Sequence, residues 1–464
     1  MTPTRAAVRD LASGLGGTVA HRDEEAFQAL AASRFPNLEV PWTPEVVVHA
    51  AGTADVIAAV RFATDHGLGL AVRGGGVGWV GAPRGTLLLD LRDLRAIRVD
   101  PARRTVHIQG GAIWREVHRE LAPFGLAAAG AQFPRLGVAG HVLGGGHGWL
   151  SRRVGWASDT LRSAELITAD GRYVRCSAEQ EPDLFWALRG AGHNFGAVVG
   201  LELHLIELDT VAFGTVWFDP EATVDALLWC REHLSSAPEE LTTIVSVGHP
   251  PPSLGLPDRL RNRAALHVLA CHSGSTEQAR CDLAALRGHP GVTVDTIQTI
   301  PWSELAMGND VFMPGVHRRS RMQYLHDLGD PVIEISRRRA TEMAPLSFMS
   351  THVYGGAMGR VDEHATAMSH RSTLFNYMVS TTWTPMQDGT ALRSWQDEYL
   401  EEIAVYATGT AYVNYLFDEP ARVTAAYHPT TWERLRSVKH TWDPENRFAA
   451  NQNIPPTHLA AVTS

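Results

Sequence analysis

The chain has 464 residues, of which 44% are apolar and 20% are charged, and its formal net charge is −9. This length exceeds one ordinary hydrophobic core, so we expect two domains that together can bury a large cofactor. The acidic balance and the scattered basic residues argue against a nucleic-acid partner. Because no run approaches eighteen apolar residues and the N-terminus lacks a signal-peptide pattern, we expect no membrane segment and a cytoplasmic location.

Several reactive residue types are scarce or poorly placed for catalysis. The four cysteines form no C-x-x-C pair, which predicts reduced thiols rather than a zinc site or disulfides. His267 and Cys271 stand four residues apart in a strand-like run, and because further ligands are lacking we expect no metal site. Lys439 is the only lysine, so any Schiff base would need this residue of a C-terminal helix. No G-x-S-x-G segment offers a nucleophile for acyl transfer.

The first 208 residues alternate short apolar runs with helical patterns, which predicts an α+β fold. The segment AELITADGRYVRC predicts a hairpin at Asp170 and Gly171, and GVAGHVLGGGHGWLSRRVG predicts irregular structure. Helices are predicted over TADVIAAVRFATDHG, with Thr53 as its N-cap, and over AIWREVHRELAPFG. The predicted strands are VVVHAA (46–51), LGLAVR (68–73), TLLLDLRDL (86–94) and RTVHIQGG (104–111).

The middle and the end of the chain have a different character. Residues 209–410 carry longer helical windows, ATVDALLWCREHLSS and TEQARCDLAALRGH, between strands such as AALHVLACH and LFNYMVSTTW. We therefore expect one domain over 1–208, with its core at 40–208, and a second over 209–410. Residues 411–464, with the helix TTWERLRSVKHTW and a proline-rich end, predict a segment that returns to the first domain.

The stretch AVRGGGVGWVGAPRG contains a literal dinucleotide fingerprint, since Gly76, Gly78 and Gly81 have G-x-G-x-x-G spacing. A Rossmann finger needs a helix directly after these glycines and an acidic residue roughly 20 positions later. Here the strand-like TLLLDL follows, and Asp90 comes too early. Two interpretations remain: plain loop glycines, or a backbone nest, a concave run of N–H groups that binds an anion. A second glycine-rich segment, LGVAGHVLGGGHG, supports two nests on either side of a diphosphate.

Six stretches, in order along the chain, resemble flavoproteins of the vanillyl-alcohol oxidase (PCMH-type) fold, in the branch of berberine bridge enzyme. The resemblance implies a two-domain α+β fold, with an FAD-binding domain built from both chain ends and a substrate domain whose sheet covers the flavin. The matching stretches are VVVHAAGTADVIAAVRFATDHGLGLAVRGGG, LGVAGHVLGGGHGWLSRRVGWASDTL, DLFWALRGAGHNFGAVVGLELHL, GGAMGRVDEHATAMSHR, AYVNYLFD and WERLRSVKHTWDPENRFAANQNI.

The resemblance also implies which residues hold FAD. One set of residues would bind the pyrophosphate. Val198 would meet the adenine through its backbone, and its alternative role is that of a core strand residue. Asn451 and Asn453 would fix the flavin ring, and their alternative role is in a C-terminal turn. The implied pyrophosphate and flanking residues are Arg73, Gly74, Gly75, Gly76, Val77, Gly78, Leu136, Gly137, Val138, Gly140, His141, Gly145, Gly146 and Gly148.

Two residues depart from the family pattern. Val77 stands where relatives normally carry a histidine bonded to the flavin 8α-methyl group, and Phe133 stands where many carry a cysteine bonded to flavin C6. None of the four cysteines lies near either segment. We therefore expect FAD to be bound non-covalently.

The resemblance places a catalytic base in AYVNYLFD. Tyr412 matches a tyrosine base of bacterial relatives, and Asn414 is expected on the same face of a strand, with Tyr415 on the other face. A tyrosine with a pKa of about 10 needs help at neutral pH, and a packed core tyrosine is the alternative. Further polar residues are expected either to contact the substrate or to form a solvated rim: His370, Arg371 and Glu363.

Three functions follow as hypotheses. The first is an FAD-dependent oxidase or dehydrogenase that moves hydride from an alcohol, amine or activated C–H of a small organic or secondary-metabolite substrate to flavin N5, with oxygen as a candidate acceptor. The second is a cyclase that retains FAD without net redox change, and the third is a ligand-binding protein on this scaffold. Substrate identity, stereochemistry and oligomeric state stay open.

Overall fold

A computed structural model describes residues 3–32, 42–78, 81–250, 254–261, 263–308, 315–417 and 419–458. The expected core boundary at residue 40 and the expected outer limits at residues 1 and 464 lie outside these ranges. The described residues combine helices and strands in separate sheets, which confirms the α+β prediction. Within the described chain, no helix is long and apolar enough to cross a lipid bilayer.

Eleven strands of the described chain precede residue 208, and they form three sheets. The first sheet has the order β1-β2-β4-β3, with β2 and β3 parallel to β4. The second has the antiparallel order β5-β6-β10-β8-β9, and β7 pairs with β11. The strands are β1 (Thr18–His21), β2 (Val46–His49), β3 (Gly69–Arg73), β4 (Thr86–Asp90), β5 (Ile97–Asp100), β6 (Thr105–Gln109), β7 (Leu126–Ala127), β8 (Leu161–Ile167), β9 (Tyr173–Ser177), β10 (Ala197–His204) and β11 (Ile206–Glu207).

Helix α3 (Thr53–Asp65) packs on the first sheet through one apolar face. Its residues at helical spacing Val56, Ala59, Val60 and Ala63 are all buried against the first sheet. The other helices of this part are α1 (Arg5–Ser13), α2 (Phe27–Ala31), α4 (Trp114–Leu121), α5 (Val138–Leu143), α6 (Ser151–Val154) and α7 (Pro182–Ala191).

A large antiparallel sheet begins at Thr210 and forms the second half of the structure. Its order is β15-β12-β14-β13-β18-β19-β17, and β16 pairs with β12. The strands are β12 (Thr210–Phe218), β13 (Leu241–Gly248), β14 (Ala265–His272), β15 (Val292–Asp295), β16 (Gln298–Pro301), β17 (His317–Leu325), β18 (Phe348–Val353) and β19 (Phe375–Trp383).

The two faces of this large sheet have different partners. Helices cover one face, where Val245, Tyr377 and Val379 join the helix side chains in one core. The opposite face meets the first part of the chain, where Ile244 and Cys271 pack with Trp149 and Leu150. The helices of this part are α8 (Thr223–Leu234), α9 (Thr276–Asp282), α10 (Ala284–Arg287), α11 (Trp302–Gly308), α12 (Asp330–Ala340) and α13 (Thr390–Ala404).

The C-terminal helix α14 (Pro429–Trp442) is fastened to the first part of the chain by the buried side chain of Lys439. Lys439 Nζ lies 2.7 Å from Asp443 Oδ2, and both side chains are completely buried. Lys439 also donates hydrogen bonds to the carbonyl oxygens of Asn194 and Phe448, at 2.6 and 3.0 Å. The only lysine therefore stabilises the fold.

Most of the predicted elements are found, and three details were wrong. Helix α3 has Gly52 as its N-cap, so Thr53 is its first helical residue. The expected irregular segment 137–155 contains the short helices α5 and α6. Tyr412 precedes a 3₁₀ turn over Val413–Tyr415 rather than lying in a strand.

Candidate active site

The two glycine-rich segments meet in space. After Gly81 the described chain forms a turn that enters β4, so the helix of a Rossmann finger is absent there. A Cβ atom on Gly75 would lie 2.4 Å from Gly137 Cα, a distance that only two glycines permit. Within the described residues, the amide nitrogens of Gly75 and Gly137 donate no hydrogen bond. Their position fits a nest for an anionic group.

The side chain of Arg73, the first residue of the implied pyrophosphate segment, is occupied within the protein. The guanidinium is buried and hydrogen-bonded to Asp90 Oδ2 at 2.7 Å and to the carbonyl oxygens of Ala31 and Leu30 at 2.7 and 2.9 Å. Asp90 is completely buried and needs this cation. The guanidinium thus holds the strand before the loop, and the family-implied place of Arg73 in the pyrophosphate site stays a prediction.

The other implied residues of the first segment differ in how closely neighbouring backbone approaches them. A Cβ on Gly74 would lie 2.7 Å from the Gly110 carbonyl oxygen, and one on Gly110 would lie 2.2 Å from the Val198 carbonyl oxygen. Gly76 has a positive φ of 76°. Val77 is half-buried and Gly78 is exposed, and a Cβ on Gly78 would meet no atom within 4 Å.

In the second segment, Leu136 and Val138 use their backbones to hold the loop against the chain around Ile113. The Leu136 carbonyl accepts from Trp114 N and Val138 N donates to the Ala112 carbonyl, each at 3.0 Å. Gly140, inside α5, has open space where a side chain would stand. The amide of Gly137, between the two hydrogen-bonded residues, donates no hydrogen bond within the described chain and is available to a ligand.

The glycines that follow α5 make room for the C-terminal segment. A Cβ on Gly144 would lie 2.0 Å from Asn414 Oδ1, and one on Gly145 would lie 2.6 Å from Met368 Sδ. A Cβ on Gly146 would lie 2.7 Å from the His141 ring, and one on Gly148 would lie 1.8 Å from the Gly130 carbonyl oxygen. Protein atoms thus account for the glycines at 144–148, and the family-implied cofactor role of Gly145, Gly146 and Gly148 stays a prediction.

His141 is directed into the protein core. Its Nε2 lies 3.0 Å from the His147 carbonyl oxygen, and its ring meets the Trp114 ring edge-on at 5.5 Å. Burial lowers the pKa of His141 to about 4, so the ring is neutral at neutral pH. Its Nδ1 is buried with no hydrogen-bond partner among the described residues.

Tyr412 and Asn414 are brought together as predicted, by the 3₁₀ turn. Tyr412 Oη accepts a hydrogen bond from Gly146 N at 2.8 Å and a second from Asn414 Nδ2 at 3.0 Å. Asn414 Nδ2 also donates to the His141 carbonyl at 3.0 Å. Burial raises the pKa of the Tyr412 phenol, and the hydrogen bonds from Asn414 and Gly146 oppose that rise.

An aromatic cluster surrounds this tyrosine. Tyr415, expected to be structural, lies in the same place: its Oη is 3.0 Å from His147 Nε2, and its ring is 5.1 Å from that of Tyr412. His147 was not predicted as part of the site. Its position in the second glycine-rich segment was the sequence feature that could have indicated it. The buried members of this cluster are Trp156, Tyr324, Tyr354, Met358, Met368 and Tyr412.

The remaining polar candidates are occupied elsewhere. Arg371 is buried and forms a two-point ion pair with Asp159, at 2.9 and 2.7 Å, so it belongs neither to a solvated rim nor to a free substrate contact. Glu363 Oε2 lies 3.1 Å from His428 Nε2, and His370 contacts the same His428 ring.

The cysteine and histidine candidates offer no second site. The cysteines are free thiols, three of them buried. His267 stacks on Trp217 at 4.1 Å, away from Cys271. Among the described residues, no group of three or more potential ligands could hold a metal ion.

Comparisons with known proteins agree with this geometry. Residues 44–177 match the FAD binding domain family, and residues 411–455 match the family described as berberine and berberine like. The (R)-6-hydroxynicotine oxidase of Paenarthrobacter nicotinovorans is 30% identical over 429 residues, which cover 89% of this chain and 91% of that protein. The chain belongs to the berberine bridge enzyme-like family of FAD-linked oxidoreductases.

Further members of the family support this assignment over the whole chain. The aclacinomycin-N/aclacinomycin-A oxidase of Streptomyces galilaeus is 28% identical and covers 88% of this chain and 85% of its own length. The crystal structure of 6-hydroxy-D-nicotine oxidase from Arthrobacter nicotinovorans superposes with a TM-score of 0.85 at 27% identity. The match covers 95% of this chain and 98% of that chain. A chitooligosaccharide oxidase with a TM-score of 0.85 at 22% identity shares the fold. The chain is an FAD-dependent oxidoreductase, and FAD is its cofactor.

The residues of this flavoprotein fit FAD at both ends of the expected site. The free amides of Gly75 and Gly137 suit a pyrophosphate. At the other end, Asn451 Oδ1 and Asn453 Oδ1 are buried without a partner in the described chain and suit a ring N–H. Between these asparagines, Gln452 is tied by its carbonyl to Asn194 Nδ2 at 3.2 Å and by its side chain to the Leu416 carbonyl.

Proposed function

We propose that this flavoprotein oxidises a small organic molecule, with Tyr412 as the base that takes the substrate's O–H or N–H proton. The observation that carries the proposal is the pair of hydrogen bonds that Tyr412 Oη accepts from Gly146 N and Asn414 Nδ2. Both donors would stabilise a phenolate, which is the form that can accept a proton. In a purely structural tyrosine the hydroxyl would usually donate its own proton to a protein acceptor.

FAD, when bound, supplies a hydride acceptor at N5 for the substrate carbon. The protein's part is to hold the substrate hydroxyl or amine at Tyr412 Oη and to exclude water from that point. Tyr412 is only 3% exposed, and the aromatic cluster surrounds it. Proton removal in this dry place would leave electrons on the substrate oxygen or nitrogen, which favours hydride departure from the adjacent carbon.

We further propose that FAD is bound non-covalently. Val77 offers two methyl groups where relatives carry the bonding histidine, and Phe133 replaces the bonding cysteine. All four cysteines lie outside the two glycine-rich segments, and three are buried elsewhere in the fold. Burial, the amides of the nest and the C-terminal asparagines would then hold the cofactor alone.

The substrate class is an alcohol, an amine or a molecule with an activated C–H, including secondary metabolites, and molecular oxygen is the proposed electron acceptor. Support comes from the relatives, whose names describe oxidases of a nicotine derivative and of aclacinomycins. Tyr412 and Asn414 suit alcohols and amines most directly, because these substrates carry an O–H or N–H proton next to the carbon that loses hydride.

Anaerobic mixing of the holoprotein with a panel of aromatic alcohols and secondary amines tests the reaction. Bleaching of the flavin band by at least one compound supports oxidation, and readmission of air should restore the band if oxygen is the acceptor. Product formation without bleaching would favour the FAD-retaining cyclase instead.

Acid precipitation tests the mode of FAD attachment independently of any substrate. We expect a yellow supernatant and a colourless pellet. A yellow pellet after washing would show a covalent bond and contradict the proposed roles of Val77 and Phe133.

A further inference from the structure

Three polar residues form a row across the large sheet, and one of them, Tyr324, also belongs to the aromatic cluster. Tyr324 on β17 is the direct partner of Asn376 on β19, and Asn376 is the direct partner of His352 on β18. Directly opposed residues of antiparallel strands share one face and stand about 5 Å apart. The row therefore presents three polar side chains next to one another.

Each residue of this row has a polar atom without a partner. Tyr324 Oη, Asn376 Oδ1 and His352 Nδ1 are buried and make no hydrogen bond with any described residue. Their exposed fractions are 1%, 0% and 5%. Because nearly all buried polar atoms of folded proteins are paired, three unpaired ones in a single row indicate a surface made for a ligand.

The row lies against the proposed reaction centre. The His352 ring is 4.9 Å from that of His147, and the Tyr324 ring is 6.3 Å from that of Tyr354. Asn376 Nδ2 donates to Tyr354 Oη at 2.6 Å, which leaves Asn376 Oδ1 as a free acceptor. The rings of His147 and Tyr412 are in turn 5.7 Å apart.

The surroundings of the row do not favour a charged molecule. Two nearby cations, Arg152 and Arg371, donate to the backbone carbonyls of Tyr354 and Met358, and Arg371 is also paired with Asp159. Burial lowers the pKa of His352 to about 4 and that of His147 well below its ordinary value, so both rings are neutral at neutral pH. A charged group here would lose its hydration without gaining an opposite charge.

We propose that Tyr324, Asn376 and His352 form the specificity-determining wall of the site and bind the polar edge of an uncharged aromatic substrate. Tyr324 Oη donates to the substrate, Asn376 Oδ1 accepts from it, and His352 Nδ1 adds a third contact. The rings of the aromatic cluster pack on the flat faces of the substrate. This inference rests on the proposed function, because it takes Tyr412 as the reaction centre.

Two charged analogues of one neutral probe test the charge preference, and a neutral sugar tests the preference for an aromatic molecule. We would titrate the FAD-loaded enzyme with 4-hydroxybenzamide, which is neutral, carries a donor and an acceptor on one edge, and has no carbon that this reaction can oxidise. The comparison probes are 4-hydroxybenzoate, 4-hydroxybenzamidine and cellobiose, and the readout is the shift of the flavin absorption band. We expect 4-hydroxybenzamide to bind at least tenfold more tightly than each comparison probe.

Variants then separate binding from folding. Tyr324→Phe removes an unpaired hydroxyl, so we expect Kd for 4-hydroxybenzamide to rise fivefold or more while Tm does not fall. Asn376→Leu removes the free acceptor and should raise Kd as strongly. The matched control is Tyr377→Phe on the opposite face of β19, whose hydroxyl is bonded to Ser336 and Tyr399. This control should lower Tm and leave Kd within twofold.

Three results would overturn the proposal: no flavin shift with 4-hydroxybenzamide, equal or tighter binding of a comparison probe, or an unchanged Kd in Tyr324→Phe. Because 4-hydroxybenzamide is not oxidised, its binding does not depend on a base. If Tyr412→Phe keeps its activity and the probes bind in the expected order, Tyr412 is not the base, but the proposed specificity-determining wall is still supported.

Discussion

Gly75 and Gly137 touch through their backbones, across 62 positions of sequence, with Gly137 Cα 2.4 Å from the place of a Cβ on Gly75. The contact brings two loops together at a point where both amides lack an acceptor within the described chain. Neither residue can carry a side chain without separating the loops. The proposed nest for the pyrophosphate thus depends on both glycines at once.

Replacement of Gly75 by alanine should therefore expel the cofactor. We expect Gly75→Ala to force the loops apart at a cost of about 1–3 kcal/mol and to lower the FAD-to-protein ratio of the purified enzyme at least tenfold. The absorbance ratio of flavin to protein measures this. Gly52→Ala is a suitable control, because a Cβ there meets nothing within 4 Å. Full FAD content in Gly75→Ala would contradict the nest.

Tyr412→Phe tests the base. Loss of the phenol should lower kcat by about 10²- to 10⁴-fold, with little change in flavin content. Since burial raises the pKa of Tyr412 above its ordinary value, the phenolate fraction grows as pH increases. The kcat/KM of the unmodified enzyme should thus rise between pH 7 and 9.5, and this rise should vanish in the variant.

Tyr415→Phe is the control for this prediction, because it loses one hydrogen bond to His147. It should lower kcat less than tenfold. Equal losses of kcat in the two variants would argue against a special role for Tyr412.

The buried histidines should make the fold sensitive to acid. Burial lowers the pKa of His118 to about 4, whereas in the unfolded chain it returns to about 6.5. Between these values the unfolded state binds a proton that the folded state does not, so stability falls as pH decreases from 6.5 to 4. We expect His118→Leu to reduce the slope of unfolding free energy against pH by about 1 kcal/mol per pH unit in this window.

Urea unfolding of both proteins at pH 4.5, 5.5 and 8 measures that slope. The value at pH 8, where His118 is neutral in both states, separates the packing effect of leucine from the proton effect. Parallel plots of unfolding free energy against pH for the two proteins would show that His118 does not contribute to the acid sensitivity.

The buried pair of Lys439 and Asp443 should be worth more to the fold than any surface ion pair. Lys439→Met leaves the Asp443 carboxylate without its cation, although the amides of Arg447 and Phe448 still donate to it. We expect a loss of about 3–5 kcal/mol in unfolding free energy, measured by urea titration. The double variant Lys439→Met/Asp443→Asn should recover part of that loss. A single variant as stable as the unmodified protein would contradict the assigned role.

Local patterns predicted much of the fold and part of the site. The apolar spacing of Val56, Ala59 and Val60 predicts α3, and the hairpin at Asp170 and Gly171 is present between β8 and β9. The density of glycine around Gly75 and Gly137 coincides with a close approach of two backbones, and the anion that it predicts stays a prediction. Each of these features depends on neighbours in sequence or on the conformational freedom of one residue type.

The rest depends on long-range pairing that no local pattern contains. Gly144 is a glycine because the amide of Asn414 fills its side-chain space. The row of Tyr324, Asn376 and His352 exists only in the observed register of three strands, and a shift by one residue would turn every member to the other face. The pairing of Arg73 with Asp90 is of the same kind, since Asp90 comes from the adjacent parallel strand.

The hydrogen bond between Gly146 and Tyr412 spans 266 positions of the chain. When the last strand of the described chain, β19, has been synthesised to its end at Trp383, the ribosome has not yet reached Tyr412. Domains fold as they emerge, in the order of synthesis. With the proposed role of Tyr412, a nascent chain that lacks residues 412–414 cannot oxidise substrate, so translation of this segment sets the moment at which activity begins.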